Sequence, residues 1–138
     1  MKKSWRQENE SYAHTTLLVV NHALEAYHKK FEGYPDSLRR LTDREVDRPE
    51  RASPERARLL DSWRARDSVE VGGYRFRYQP GQPDQRWAAT VQLFKSYRLT
   101  AEPLSPGSSG EIFYYSDQTR IIRARRGQAA GPDDPAAP

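Results

Sequence analysis

Between Ala13 and Phe31 the large apolar residues recur at Ala13, Leu17, Val20, Leu24, Tyr27 and Phe31, in steps of 4, 3, 4, 3 and 4. Those steps put all six on one stripe of an α-helix. Asn21, His22, Glu25, His28 and Lys29 fall mostly elsewhere. No Pro or Gly interrupts residues 4–32, so the helix can begin as early as Ser4, with two polar turns that are either exposed or docked on something outside the chain. It is predicted to stop at Gly33, with Pro35 just beyond. A helix with one apolar stripe must bury that stripe on another element, so the remaining sequence has to supply a complementary surface.

That surface comes late in the chain. Residues 33–38 read as a turn into a short helical piece through Leu41, capped by Asp36 or Ser37. Residues 43–52 are charged and read as a loop. Ser53-Pro54-Glu55 then opens a second helix of about ten residues, with Leu59, Leu60 and Trp63 as its apolar side. From Val69 the character changes. Gly72-Gly73 is a turn, and Tyr74 to Tyr78 alternates aromatic with Arg, the mark of a half-buried strand. Pro80-Gly81 and Pro83-Asp84 make a connection, and a second strand runs from Val91 to Ala101. Residues 112–115 and 121–124 are two more strands joined by a tight turn near Asp117-Gln118. The fold class is α+β: a long N-terminal amphipathic helix packed on an antiparallel meander of about four strands. The partner of the stripe is the face bearing Tyr74, Phe76, Tyr78, Tyr97 and Leu99. Residues 1–126 form one domain, and residues 127–138, GQAAGPDDPAAP, are by composition a disordered tail.

Composition excludes several chemistries. The chain has no Cys, which removes disulfides, thiolate metal sites and Cys nucleophiles. His14, His22 and His28 lie on the first helix at spacings of eight and six, whereas ligation from one helix face needs three or four. Glu25 stands three residues from both His22 and His28, a weak surface pairing. The acidic groups Glu8/Glu10, Asp43/Glu45/Asp47 and Asp133/Asp134 lack an apolar setting that would raise a pKa. No nucleophile elbow, dinucleotide fingerprint or phosphate loop is present, and residues 107–110, GSSG, read as turn geometry. No catalytic residue, metal or cofactor is expected, and the chain does not read as an enzyme. The net charge of +4 permits an anionic partner. If the strand aromatics face the helix, Arg75 and Arg77 face out, joined by Arg98 and with Lys95 as a further member. This candidate interaction face would grip phosphate or carboxylates, or would simply keep an open sheet soluble. The alternation sets aromatics and Arg on opposite faces, which counts against a stacking reader of single strands.

The order of elements and five local motifs resemble type IV pilins and the pseudopilins of type II secretion. Asn9-Glu10, the amphipathic helix and residues 33–38, GYPDSL, resemble a pilin's second helical half and the loop after it. Residues 59–62, LLDS, followed by residues 73–84, GYRFRYQPGQPD, look like a run found in pilin-like proteins. So do residues 97–104, YRLTAEPL, with residues 106–110, PGSSG, and residues 113–118, FYYSDQ, with Ile121-Ile122-Arg123. Three departures stand against this. The family's cleavage motif and apolar N-terminal helical half are missing, residues 117–120 lack the usual turn Gly, and there is no Cys pair. A calcium-ligand sequence is not found either.

The resemblance implies a structural, assembly function in a type IV pilus or a secretion pseudopilus. Its partners would be other pilin-like subunits and their assembly machinery, with membrane contact only through a segment absent from this chain. It implies the inner membrane and periplasm, or the pilus, if residues precede Met1, and the cytoplasm if Met1 is the native start. The alternative is a soluble binding module that uses Arg75, Arg77 and Arg98 to contact an anionic partner such as DNA.

Overall fold

The computed structural model describes residues 4–41, 67–88 and 90–137. The charged loop at 43–52 and the helix expected from Ser53 lie outside the described residues. Helix α1 spans Trp5–Phe31 and is about 40 Å long at 1.5 Å per residue. Ser4 starts it: its hydroxyl accepts from the Gln7 N–H, and the Gln7 side chain accepts from the Ser4 N–H. This reciprocal box satisfies two donors that a helix start leaves unpaired. One side of the polar first turns docks within the chain, while Trp5, Gln7 and Glu8 stay exposed. Asn9 is buried and donates to the Ser109 carbonyl, Arg6 reaches the Gly107 carbonyl and Glu111, and Glu10 accepts the Glu111 and Ile112 N–H groups.

The other end also differs from expectation. Glu32, rather than Gly33, takes the left-handed conformation (φ 61°), and its N–H returns to the His28 carbonyl. Gly33 is required for room, since a Cβ there would stand 2.7 Å from the Leu93 Cβ. The short helical piece beyond it is a single 3-10 turn, Leu38–Arg40. Ser37 caps it, assisted by Asp67, whose carboxylate accepts both the Leu38 N–H and the Ser37 hydroxyl at 2.9 Å. Asp36 instead holds Arg40 at 2.9 Å.

The strands are β1 Ser68–Val71, β2 Tyr74–Pro80, β3 Pro83–Ala88, β4 Val91–Phe94, β5 Tyr97–Pro103, β6 Ile112–Asp117 and β7 Arg123–Arg126. Five form an antiparallel sheet in the order β1-β2-β5-β6-β7, and β3 pairs only with β4. The α+β class stands, but the strand count is corrected. β1 is too short for its alternation to show in sequence. It joins β2 through Gly72 and Gly73, both at positive φ (60° and 75°), the geometry of a two-residue hairpin turn. The single strand expected from Val91 to Ala101 is two strands, broken at Lys95-Ser96. There Lys95 N–H bonds the Gln82 carbonyl and Gly81 N–H bonds the Ser96 carbonyl, turning β3 and β4 out as a separate ribbon. Pro83 and Asp84 therefore lie in β3 rather than in a loop, and Ile121 and Ile122 precede β7 rather than belonging to it. The described part of the expected tail, residues 127–137, folds back along β7. Ala124 N–H bonds the Pro135 carbonyl and Ala137 N–H bonds the Ile122 carbonyl. Two bends at Gly127 and Gly131 outweigh a composition that suggests disorder.

The core lies between α1 and one sheet face. Ala13, Leu17, Val20, Leu24 and Tyr27 are buried on the helix, with Phe31 half-buried at its end. Opposite them Tyr74, Phe76, Tyr78, Tyr97 and Leu99 are buried, as the alternation predicts. Asn21, expected among the polar residues away from the stripe, is buried within this layer. It accepts from the Tyr97 hydroxyl at 2.7 Å and donates to Ser116 Oγ at 2.8 Å, and Ser116 donates onward to the Ile121 carbonyl. A buried polar chain with every group paired is tolerated, whereas a broken one is costly.

The tyrosine hydroxyls serve as internal donors: Tyr78 to the Pro35 carbonyl and Tyr74 to the Ile112 carbonyl, both at 2.6 Å, and Tyr114 to the Glu10 carbonyl. Burial pushes the pKa of Tyr74, Tyr78 and Tyr97 far above the ordinary value, and that of Tyr114 up to about 12. Below pH 10 these phenols are neutral in both states and stability is independent of them. Above pH 10 the unfolded chain ionises first, so stability falls. Urea titrations at pH 8, 9 and 11 are expected to agree at the first two values. They should then drop with a slope of about 1.4 kcal/mol per pH unit for each phenol still neutral in the fold. Tyr97→Phe, which leaves the Asn21 carbonyl oxygen unpaired, is expected to cost about 1–3 kcal/mol in the same assay at neutral pH.

Candidate interaction face

The face of the sheet turned away from α1 is set by register. Paired residues share a side, and the pairs Glu70↔Arg75, Arg75↔Glu102, Arg77↔Thr100, Gln79↔Arg98 and Arg98↔Asp117 put all three predicted arginines there. Lys95 does not join them, because it lies in the break between β4 and β5.

The three arginines are not equivalent. Arg75 is bracketed by carboxylates, with Glu70 at 2.9 Å and Glu102 at 3.3 Å, and these bonds, Glu70 foremost, push its pKa further up. Its charge is spent within the sheet. Arg98 stands 5.9 Å from the centre of the Tyr115 ring, a cation–π contact that leaves the guanidinium edge exposed. Arg77 is exposed and, among the described residues, makes no ion pair.

Four residues of this face leave little trace in the sequence. The pairs Tyr115↔Arg123 and Phe113↔Arg125 bring two further arginines and two aromatics onto the side of Arg77 and Arg98. The expected separation of aromatics from Arg therefore holds for β2 but fails for β6. Residues 112–115 are apolar without a break, so nothing in that stretch shows which ring faces the helix. Arg123-Ala124-Arg125 does alternate, and it is the one available signal. Phe113 is half-buried, and Tyr115 is buried with its hydroxyl donating to Asp117 at 3.0 Å. Burial first, then that bond, pushes the Tyr115 pKa up. The face thus carries five guanidinium groups against the carboxylates of Glu70, Glu102 and Asp117.

The other titratable groups stay apart. His14 lies edge-on to the Tyr114 ring, His28 stacks near Tyr34, and Glu25 pairs with Lys29 and Arg120. Glu10, expected to be solvated, is a backbone acceptor, while Asp134 receives the Gly131 N–H. The group Asp43/Glu45/Asp47 lies outside the described residues. Among the described residues no group of three His, Asp or Glu is placed to hold a metal, and no helix is long and apolar enough to cross a membrane. No family model, curated protein or solved structure matches this chain.

Proposed function

We propose that this chain is the globular head of a pilin-like subunit, a structural part that works by assembling with other subunits. The observation that supports it most is one-sided packing. A long N-terminal helix lies on one face of an antiparallel sheet, and on the opposite face Arg75, Arg77 and Arg98 stand outward, with residues 131–137 reaching it beside Arg123. A loop at residues 33–41 ties the helix end to the sheet through Tyr78–Pro35 and Ser37–Asp67, and it is one of the places where the sequence resembles the family. Nothing in the outer face asks for catalysis, while an exposed sheet with alternating charge suits repeated contact with like neighbours. The test is a tagged copy expressed in its source organism, with surface filaments sheared off and isolated. The tagged chain is expected in the filament fraction. Its absence there, together with unaltered filaments and secretion in a deletion strain, would overturn the reading.

A second reading has its own support in Phe113 and Tyr115, which share the outer face with unpaired cations. On this reading the face takes single-stranded nucleic acid, with arginines on phosphate and the half-buried Phe113 ring against a base. Arg75 is already neutralised, so the triple variant Arg75/Arg77/Arg98→Ala would lose affinity mainly through Arg77 and Arg98. The salt dependence of oligonucleotide binding is expected to flatten by about 0.7 in log–log slope for each phosphate contact removed. Binding that stays undiminished in the triple variant sinks this reading.

A further inference from the structure

The end of the chain is arranged as a ligand for its own sheet. Arg123 of β7 faces Ala136 as an isolated antiparallel pair, flanked by the bonds Ala124 N–H to Pro135 and Ala137 N–H to Ile122, at 3.0 and 2.7 Å. The Arg123 guanidinium donates to the Asp134 carbonyl at 2.7 Å. Asp134 in turn closes a turn on Gly131, with its carboxylate accepting the Gly131 N–H at 2.8 Å. Ala137 then packs beside Ala124 and Ile112, at a cleft of about 480 Å³ between β7 and the α1 residues Glu10 and His14. This strap satisfies backbone groups that a sheet edge would otherwise leave open.

Its attachment is slight and its tether is loose. Three hydrogen bonds and one methyl group hold it, and residues 127–129 are exposed. Gly127 has φ 81° and its N–H bonds the Glu111 carbonyl at 2.8 Å, so the hinge lies beyond this bend, in residues 128–130. Nothing in the strap's contacts depends on its belonging to the same molecule as β7. The site requires only an extended segment carrying a carboxylate, a proline and two small residues, and a second copy supplies the same segment at the same spacing.

We infer that the β7 edge is a strand-addition site for the C-terminal segment of a second copy of this chain, and that straps exchange between copies at high concentration. Exchange of an identical element adds no new interface and costs little beyond opening the hinge. Reciprocal exchange yields a closed pair, and head-to-tail exchange yields a row. Exchange draws on the strap's own contacts alone. A chain that swaps straps without ever entering a filament would satisfy it and still refute the assembly reading.

The full chain with Arg123→Cys and Ala136→Cys tests it, since the natural sequence has no Cys to compete. Cβ atoms of such antiparallel pairs stand within reach of a disulfide. Two forms of this variant, differing in mass through an N-terminal tag, are oxidised with diamide after dilution or after concentrated incubation. Dilute samples are expected to close the bond within one chain. Concentrated mixtures are expected to give disulfide-linked dimers of mixed mass, severalfold above those of the out-of-register variant Arg125→Cys/Ala136→Cys. Only intrachain bonds at every concentration would overturn exchange. Mixed dimers equal in both variants would do the same, because collision would explain them. A chain that stays folded by circular dichroism yet forms no bond at all would overturn the strap itself.

Discussion

The contact on which the rest of this molecule depends is the stripe of α1 against the aromatic face of β2 and β5. Leu17, Val20 and Leu24 meet Tyr74, Phe76, Tyr78, Tyr97 and Leu99, all buried. At about 40 Å, α1 is longer than the seven-residue strands β2 and β5 that it lies along, about 23 Å, so it overhangs them. The overhangs explain the two peripheral structures. At the start, Arg6, Asn9 and Glu10 clamp the loop between β5 and β6. At the end, the β3–β4 ribbon rises to meet the helix terminus, with Leu93 against Gly33 and Tyr34 bridged to Phe94.

Tyrosine suits this interface because each ring contributes apolar area while its hydroxyl satisfies a carbonyl that packing would otherwise strand. Tyr74, Tyr78 and Tyr97 each do this for a different element: the β6 strand, the residue 35 loop and the helix itself. The cost of this design appears only at alkaline pH, where the unfolded state can ionise and the packed phenols cannot. Asn21 fits the same logic. It is a polar residue inside an apolar layer because it gives Tyr97 an acceptor and Ser116 a donor, fixing the helix against two strands at once.

The two sides of the sheet divide the work. The inner side carries stability and the outer side carries charge that has no role in the core. Arg75 shows how much of that charge is spent locally on Glu70 and Glu102, while Arg77 and Arg98 keep theirs available. Assembly and recognition both draw on such a surface, and the strap along β7 gives the molecule a further means of joining copies through backbone rather than side-chain chemistry.

The sequence by itself determined the helix, its stripe, the α+β class, the inward aromatics of β2 and the outward Arg75, Arg77 and Arg98. All of these rest on periods of 3.6 and 2 that survive within single segments. Only the tertiary structure decided the rest. β1 is four residues long, too short to show a period, and exists because β2 offers it an edge. The break at Lys95-Ser96 comes from cross-chain bonds to Gln82 and Gly81, which no local pattern records. Phe113 and Tyr115 face outward because of pairing with β5 and β7, in a stretch where every residue is apolar. Asn9, Glu10 and the strap looked solvated or disordered because polar and small residues carry no burial signal. Their partners lie about a hundred positions away for the first two and across a bend for the third, and only the closed chain brings them together.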